Sequence, residues 1–342
     1  MSSLPPLLEV RGLVKHYPIR RGVIDRWRGV PRARIRAVDG VDFTIERGKT
    51  LALVGESGCG KTTTGRCVLF LQQPTAGEIR VDGQLIDPDD EEGLRARRRD
   101  LQIVFQDPNS SLNPRMTIGQ ALDEALSFHN IAPRGGRAGV VGELLETVGL
   151  SRRQANRYPN ELSGGQRQRV GIARALAVNP SLIVADEPVS ALDVSIQAQI
   201  LELLTRLREE RGLSYLFISH DLGVVRHIAD EVAVMYLGVI VERAPTRSLY
   251  ARPRHPYTRA LLAAAPIADP RLRRPRTIIP GEPPSPVNPP SGCRFRTRCP
   301  YATDLCAERV PPLREIIPGH LAACHYAEQI GQPVPLVDTP AR

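Results

Sequence analysis

The sequence predicts an α/β fold in which a mainly parallel sheet is covered by helices on both faces. Three observations carry that expectation. Through residues 1–250, short apolar runs of strand length alternate with segments of helical period. Four runs are continuous enough to be buried strands: TLALVG (50–55), LQIVFQ (101–106), SLIVAD (181–186) and SYLFIS (214–219). The first of them leads straight into a glycine-rich turn and a helix start.

The remaining elements follow from their patterns. LLEVRGLVKHY and AVDGVDFTI alternate in period two, as do GEIRVDG and EVAVMYLGVIVE, and together they read as an antiparallel sheet to one side. Between Gln106 and Leu162 the strand signal fades, and MTIGQALDEALSFHN and VGELLETVGL read as amphipathic helices. This defines a helical subdomain at about 107–170. Past Tyr250 the texture turns to proline and arginine, and PGEPPSPVNPPSG (280–292) resembles a polyproline spacer before a cysteine-bearing tail. The expected units are 1–250 and a small Pro/Cys-rich C-terminal extension over 251–342, with no internal repeat.

Bulk composition narrows the class. At 42% hydrophobic and 24% charged residues the chain is ordinary for a globular protein, long enough for about two domains. The longest uncharged apolar stretches, VAVMYLGVIV (232–241) and ALLAAAPIA (260–268), fall far short of the roughly 20 residues that cross a bilayer. MSSLPPLLEV lacks the basic-then-apolar plan of a signal peptide, so a cytoplasmic location is expected. The net charge of +9 does not single out nucleic acid. Only Lys15, Lys49 and Lys61 are lysines, so the excess is a chain-wide arginine bias. RARRR (95–99) and RLRRPR (271–276) also lack interleaved aromatics on which bases stack, and read as solvated faces or contacts to partners or anionic lipid.

LALVGESGCGKTT fits G-x-x-x-x-G-K-[ST] at a strand–helix junction, the setting that a phosphate loop requires. Gly55, Gly58 and Gly60 let the backbone curl, so that N–H groups of the loop, with Glu56, Ser57 and Cys59 between the glycines, point at one anion. The helix beginning at Lys61, Thr62 and Thr63 adds the positive end of its dipole. Lys61 is expected on the outer phosphates of a nucleotide and Thr62 on Mg²⁺. LIVADEP then places Asp186 at a strand end to support Mg²⁺, and Glu187 beside it to polarise an attacking water. An acidic pair ending a strand has an ordinary structural reading too, but a phosphate loop in the same chain favours hydrolysis.

A second helix start needs its own explanation. Ser163 and Gln166 in LSGGQRQRVGIARAL make an S-x-x-Q capping box, but Gly164 and Gly165 weaken a first helical turn and leave bare backbone for an anion. The helix is expected to run to Pro180, with Val170, Ala173, Leu176 and Ala177 on one stripe.

LSGGQ followed by LIVADEP, SALD (190–193) and ISHD (218–221) resembles the ATP-binding cassette family of transport ATPases. The resemblance implies a P-loop NTPase (RecA-like) core carrying an antiparallel β subdomain and a helical subdomain. It also implies head-to-tail closure of two cassettes, in which Ser163, Gly164, Gly165 and Gln166 face ATP held by the partner and Asp193 lies along the seam. His220 would sense the γ-phosphate, Gln106 would reach Mg²⁺ and the water, and Tyr17 in KHYPI would stack on adenine, with core packing as its alternative.

PIRRGVIDRWRGVPRARIR after Tyr17, VFQDPNSSLNPRMTIGQAL, and the tail from HPYTRALLAAAP to SGCRFRTRCP resemble the ATPase subunits of bacterial dipeptide and oligopeptide importers over essentially the whole chain. That likeness implies a second, related cassette subunit, two transmembrane permease subunits, an extracytoplasmic peptide-binding protein, and a peripheral position on the cytoplasmic face of the cell membrane. Nickel and glutathione importers share the architecture. Two rivals are a soluble cassette ATPase acting on nucleic acid or ribosomes, and a non-catalytic nucleotide sensor. The first lacks its usual second cassette or coiled-coil insertion here, and the second is disfavoured by the presence of Glu187 and His220.

The tail cysteines Cys293, Cys299, Cys306 and Cys324 are spaced C-x₅-C-x₆-C-x₁₇-C, without a tight zinc knuckle. A [4Fe–4S] cluster, as described for similar importer tails, zinc, and free thiols all stay open. Cys59, at a helix N-terminus, is expected to have a lowered pKa and to react with alkylating agents unless ATP protects it.

Overall fold

The computed structural model describes residues 5–19, 33–107, 112–131, 136–264 and 281–330. Most of the arginine-rich insert after Tyr17, residues 108–111 of the run after Val104, and RLRRPR lie outside the described residues.

An eight-stranded sheet forms the centre. Its parallel part is β6 (Leu101–Val104), β7 (Leu182–Asp186), β8 (Ser214–Ser219), β3 (Thr50–Val54) and β9 (Glu231–Tyr236), adjacent in that order. The four continuous apolar runs are all parallel strands, and β3, β7 and β8 are buried at every position. A second, antiparallel sheet has the order β2 (Arg34–Ile45), β1 (Leu8–Pro18), β4 (Ala76–Val81), β5 (Gln84–Leu85). LLEVRGLVKHY, AVDGVDFTI and GEIRVDG are in it, as expected.

EVAVMYLGVIVE is not. It folds as β9 and β10 (Val239–Pro245), an antiparallel hairpin whose first strand pairs parallel with β3 in the central sheet. Leu237 and Gly238 both take positive φ at its tip, as a two-residue hairpin turn of matching twist demands. The physical reason is burial. Val232 to Tyr236 are all covered, so this is a two-faced strand whose apparent alternation came only from its flanks.

Alternate strand residues sort into two cores. Leu51, Leu53, Val184, Leu216 and Ile218 face α1 (Lys61–Val68) and the antiparallel sheet. Ala52, Val54, Ile183, Tyr215 and Phe217 face the helical layer. That layer includes α3 (Ile118–Phe128), α4 (Arg137–Thr147), α5 (Gly164–Leu176), α6 (Val194–Arg211) and α7 (Leu222–Ile228). α3 begins at a Thr117–Gln120 capping box and buries Ile118, Ala121, Leu122 and Leu126, the face its period predicts. α5 buries the Val170–Ala173–Leu176 stripe but stops at Leu176, because Asn179 turns left-handed before Pro180. RARRR lies on α2 (Glu91–Asp100), which buries no residue, so that basic cluster is a solvated face.

The tail completes the sheet. β12 (His320–Ala322) pairs with β10, and β11 (Arg314–Ile317) flanks it. The proline run does not bridge open space as a spacer would: the Pro286 carbonyl accepts the Arg36 N–H of β2 at 3.1 Å. One short helix, α8 (Thr246–Ala251), leads into the tail, and three lie within it, α9 (Pro256–Ala264), α10 (Asp304–Glu308) and α11 (Ala327–Ile330).

Glu242 of β10 is fully buried, and its carboxylate has partners from two segments. Its carboxylate accepts the N–H groups of Arg254 (2.6 Å) and His255 (3.0 Å) and lies 2.7 Å from His320 Nε2. His255 beside it accepts the Tyr257 N–H on Nδ1 at 3.1 Å, and burial pushes its pKa down to about 3. A histidine kept neutral in the fold but protonated when unfolded binds fewer protons folded, so stability falls as pH drops through its unfolded pKa of about 6.5 toward 3. The slope from this residue alone is about 1.4 kcal/mol per pH unit. Urea unfolding at pH 7 and pH 5 should show the loss, and His255→Gln, which keeps an acceptor that does not titrate, should flatten it.

Candidate active site

The site is assembled at the carboxyl ends of neighbouring parallel strands, where open α/β sheets collect ligands. Strand order explains it. Because β3, β8, β7 and β6 are adjacent, the loop after β3, His220 after β8, Asp186 and Glu187 at the end of β7, and Gln106 after β6 share one edge.

Gly55 to Gly60 curl over that edge, with φ of +155°, +79° and +111° at Gly55, Gly58 and Gly60. Two of these glycines are sterically obligatory. A Cβ on Gly55 would stand 2.2 Å from the Met235 carbonyl oxygen, and one on Gly60 2.1 Å from that of Ala37. Lys61 is buried beneath the loop, and its Nζ donates to the carbonyls of Gly55 (2.7 Å) and Glu56 (3.0 Å). The Thr62 hydroxyl donates to Asp186 Oδ1 at 2.8 Å, and burial holds the Asp186 pKa above the usual carboxylate value. A hydroxyl and a carboxylate paired beside a phosphate loop are a hard oxygen set suited to Mg²⁺.

Glu187 sits in the middle. Gln106 Nε2 donates to its Oε2 at 3.2 Å, and His220 Nδ1 lies 3.1 Å from the same oxygen. Its backbone is left-handed, φ +47°, a conformation costing a non-glycine residue roughly 1–3 kcal/mol. The turn holds it there: the Glu187 N–H donates to the Ile218 carbonyl at 3.0 Å, and its own carbonyl accepts the Ser190 hydroxyl at 3.0 Å.

The signature helix start is capped as expected, with Gln166 N–H donating to Ser163 Oγ and Ser163 N–H to Gln166 Oε1. Its two glycines differ. A Cβ on Gly165 would meet Ile196 Cγ2 at 2.6 Å, an internal packing reason that the sequence concealed, whereas one on Gly164 would make ordinary contact with Leu192. Asp193 caps α6 without a side-chain hydrogen bond and is exposed next to Val194.

Two sequence expectations change. Cys59 is not an activated thiol. Its sulfur packs under the loop, only 5% of the residue is exposed, and burial pushes its pKa up, outweighing the pull of Lys61. Glu56 does not turn its N–H to an anion: that N–H donates to the Tyr257 hydroxyl at 2.8 Å, and the carboxylate pairs with Arg298. Tyr17 donates its hydroxyl to Gln72, just beyond the C-terminus of α1, and Lys15 lies over its ring. Arg298 and Tyr257 are the residues that motif reading missed. Contacts 242 and 201 positions away leave no local signal.

Cys293, Cys299, Cys306 and Cys324 line one small cavity with Phe295, Tyr326 and Pro256, and none of them is in a disulfide. Burial and the neighbouring sulfurs push Cys299 and Cys324 up to about 11 and about 12. Among the described residues no three His, Cys, Asp or Glu side chains converge as a single-ion cage needs.

Fold and site together define a phosphate-loop ATPase with a second glycine-rich helix start. An ABC transporter family model matches residues 38–190, and a model of the oligopeptide/dipeptide transporter C-terminal region matches 241–306. Among relatives, the oligopeptide transport ATP-binding protein AppF of Bacillus subtilis is 52% identical, covering 93% of this chain and 97% of its own length. A probable peptide ABC transporter ATP-binding protein of Sinorhizobium fredii is 54% identical, covering 93% and 89%. Among solved structures, the dimeric post-hydrolysis cassette MJ0796 bound to ADP and Pi is 32% identical, with a TM-score of 0.61 over 70% of this chain and 99% of that one. The CbiO1 subunit of Clostridium perfringens is 26% identical, also at 0.61, over 72% and 91%. The chain belongs to the ATP-binding cassette family of transporter ATPases, and ATP hydrolysis is its activity.

Proposed function

We propose that this chain is the ATP-hydrolysing subunit of a membrane importer of dipeptides and oligopeptides. The printed names of its relatives and the matched C-terminal region support peptides over nickel or glutathione. One observation carries the catalytic assignment: Glu187 receives Gln106 and His220 on one oxygen beside the Thr62–Asp186 pair.

In this reading the Gly55–Thr63 backbone, the Glu56 N–H excepted, and Lys61 hold the phosphates, and Thr62, Asp186 and Gln106 would hold Mg²⁺, which would offset phosphate charge. Glu187 accepts a proton from the attacking water, and His220 orients Glu187 and meets the γ-phosphate. Ser163, Gly164, Gly165 and Gln166 complete the pocket of a second cassette, with Asp193 on the seam and Tyr17 toward adenine. Loss of the γ-phosphate removes contacts made only in the closed pair, so the pair opens.

Among the described residues no helix is long and apolar enough to cross a membrane. By the likeness to peptide importers, the translocation path belongs to two permease subunits, supplied by an extracytoplasmic peptide-binding protein, with this chain and a related cassette docked on the cytoplasmic face. Residues 1–250 form the cassette and 251–342 the extension.

The four tail thiols line one cavity, and the importer likeness favours a [4Fe–4S] cluster there over zinc, since their spacing has no tight knuckle. Cys293, Cys299, Cys306 and Cys324 would hold it, and it would bring an electron-accepting centre and a structural staple.

Coexpression with the genes beside its own tests the function. Copurification with permeases and ATP-dependent peptide uptake into proteoliposomes is expected, whereas recovery with ribosomes or nucleic acid would refute it. The same preparation should be brown, absorb near 400 nm and contain iron; a colourless, iron-free anaerobic preparation refutes the cluster.

A further inference from the structure

The phosphate loop carries a carboxylate where it receives a polyanion. Glu56 directly follows Gly55, and an unneutralised charge there repels phosphate oxygens. The charge is neutralised from the tail. Arg298, itself only 7% exposed, donates from Nη1 to Glu56 Oε2 at 2.8 Å and from Nη2 to Oε1 at 3.2 Å, a bidentate fork. The Tyr236 hydroxyl lies against the same guanidinium. The Tyr257 hydroxyl accepts the Glu56 N–H from the other side, so backbone and side chain of this one loop residue are both held from outside the loop.

The arm that carries Arg298 is part of the thiol cage. Arg298 ends a single 3₁₀ turn, Arg296–Arg298, with Cys299 next and Cys293 three residues before the turn. The Cys293 N–H donates to the Cys306 carbonyl at 2.8 Å, and the Arg298 N–H to that of Phe295 at 3.0 Å. Phe295 packs on Tyr236 and Tyr257 with centroids 5.3 and 5.4 Å away, the two tyrosines that meet Arg298 and Glu56. Arg294 adds bonds to the Leu237 carbonyl and Asp39. A shift of the cage therefore moves the guanidinium relative to the loop.

We propose that Arg298 is a positioning residue for the phosphate loop, through which the four-thiol tail sets the affinity for ATP. This rests on reading the loop as the ATP site. The arm touches no reacting atom, so it acts on binding and leaves the chemical step alone. By linkage, whatever changes the cage changes ATP affinity, and bound ATP changes the cage by the same factor.

The test uses the full chain and equilibrium binding of a fluorescent ATP analogue with Mg²⁺, together with KM and kcat for ATP. Arg298→Gln should raise Kd roughly tenfold, within the range of site-to-site couplings, and raise KM with kcat little changed. Arg298→Lys should recover part of the loss, since it restores the charge without the fork. Glu56→Gln should remove the repulsion, so that adding Arg298→Gln then costs little. Cys299→Ser should weaken binding in the parent chain but not in Arg298→Gln. Unchanged affinity in the Arg298 variants, or equal losses from Cys299→Ser in both backgrounds, overturns the proposal. A parent chain that binds no analogue at all would instead overturn the ATP-site reading itself.

Discussion

Glu187→Gln should lower ATP turnover by roughly 10²–10⁴-fold while leaving ATP bound. The amide keeps the volume of the carboxylate and its left-handed turn, whose backbone bonds to Ile218 and Ser190 do not involve the side chain. It also keeps an oxygen for Gln106 to donate to. What it loses is a basic oxygen that takes the proton of an attacking water. Thr62 and Asp186 are untouched, so nucleotide affinity persists, and turnover falls without a matching rise in Kd. Single-turnover phosphate release and equilibrium ATP binding on the same variant separate the two quantities. A variant that hydrolyses ATP at the parent rate would remove Glu187 from the chemistry.

The second large effect concerns Gly60. Gly60→Ala should destabilise the chain by about 2–4 kcal/mol and abolish nucleotide binding, whereas Gly58→Ala in the same loop should cost about 1–2 kcal/mol. Both glycines have positive φ, +111° and +79°, so both substitutions strain the backbone. Only Gly60 adds a collision. Its Cβ would lie 2.1 Å from the Ala37 carbonyl oxygen and 2.7 Å from Met235 Cε, while that of Gly58 meets nothing within 4 Å. Ala37 lies in β2 at a bulge between Arg36 and Val38, which pair with His16 and Lys15 of β1, so its carbonyl is held between two pinned neighbours. The helix start must move instead, taking Lys61 and Thr62 out of register with Asp186. Denaturant midpoints and ATP-analogue affinities for both variants read the difference directly.

The catalytic parts were legible one at a time because each is a local device. A strand running into Gly55–Thr62, an acidic pair closing β7 and a capping box opening α5 are written in contiguous residues, and the structure forms each of them. Period misled in one segment. Val232 to Tyr236 are apolar without interruption, yet polar flanks made them read as a one-faced strand. Cys59 misled for another reason. Proximity to a helix N-terminus is local, but the burial that raises its pKa depends on the loop folding back over it.

The sequence by itself determined the four buried parallel strands, the amphipathic helices after Gln106, the phosphate loop, and the order of motifs that marks the family. Local dihedral preference and hydrophobic period are properties of a few consecutive residues, so a reader of one chain recovers them. Only the tertiary structure decided which strands are neighbours. That decision brings Gln106 and His220 to Glu187 across 81 and 33 positions, and Arg298 to Glu56 across 242. Such pairings are selected by the packing free energy of the whole chain, a sum over distant contacts that no short segment contains.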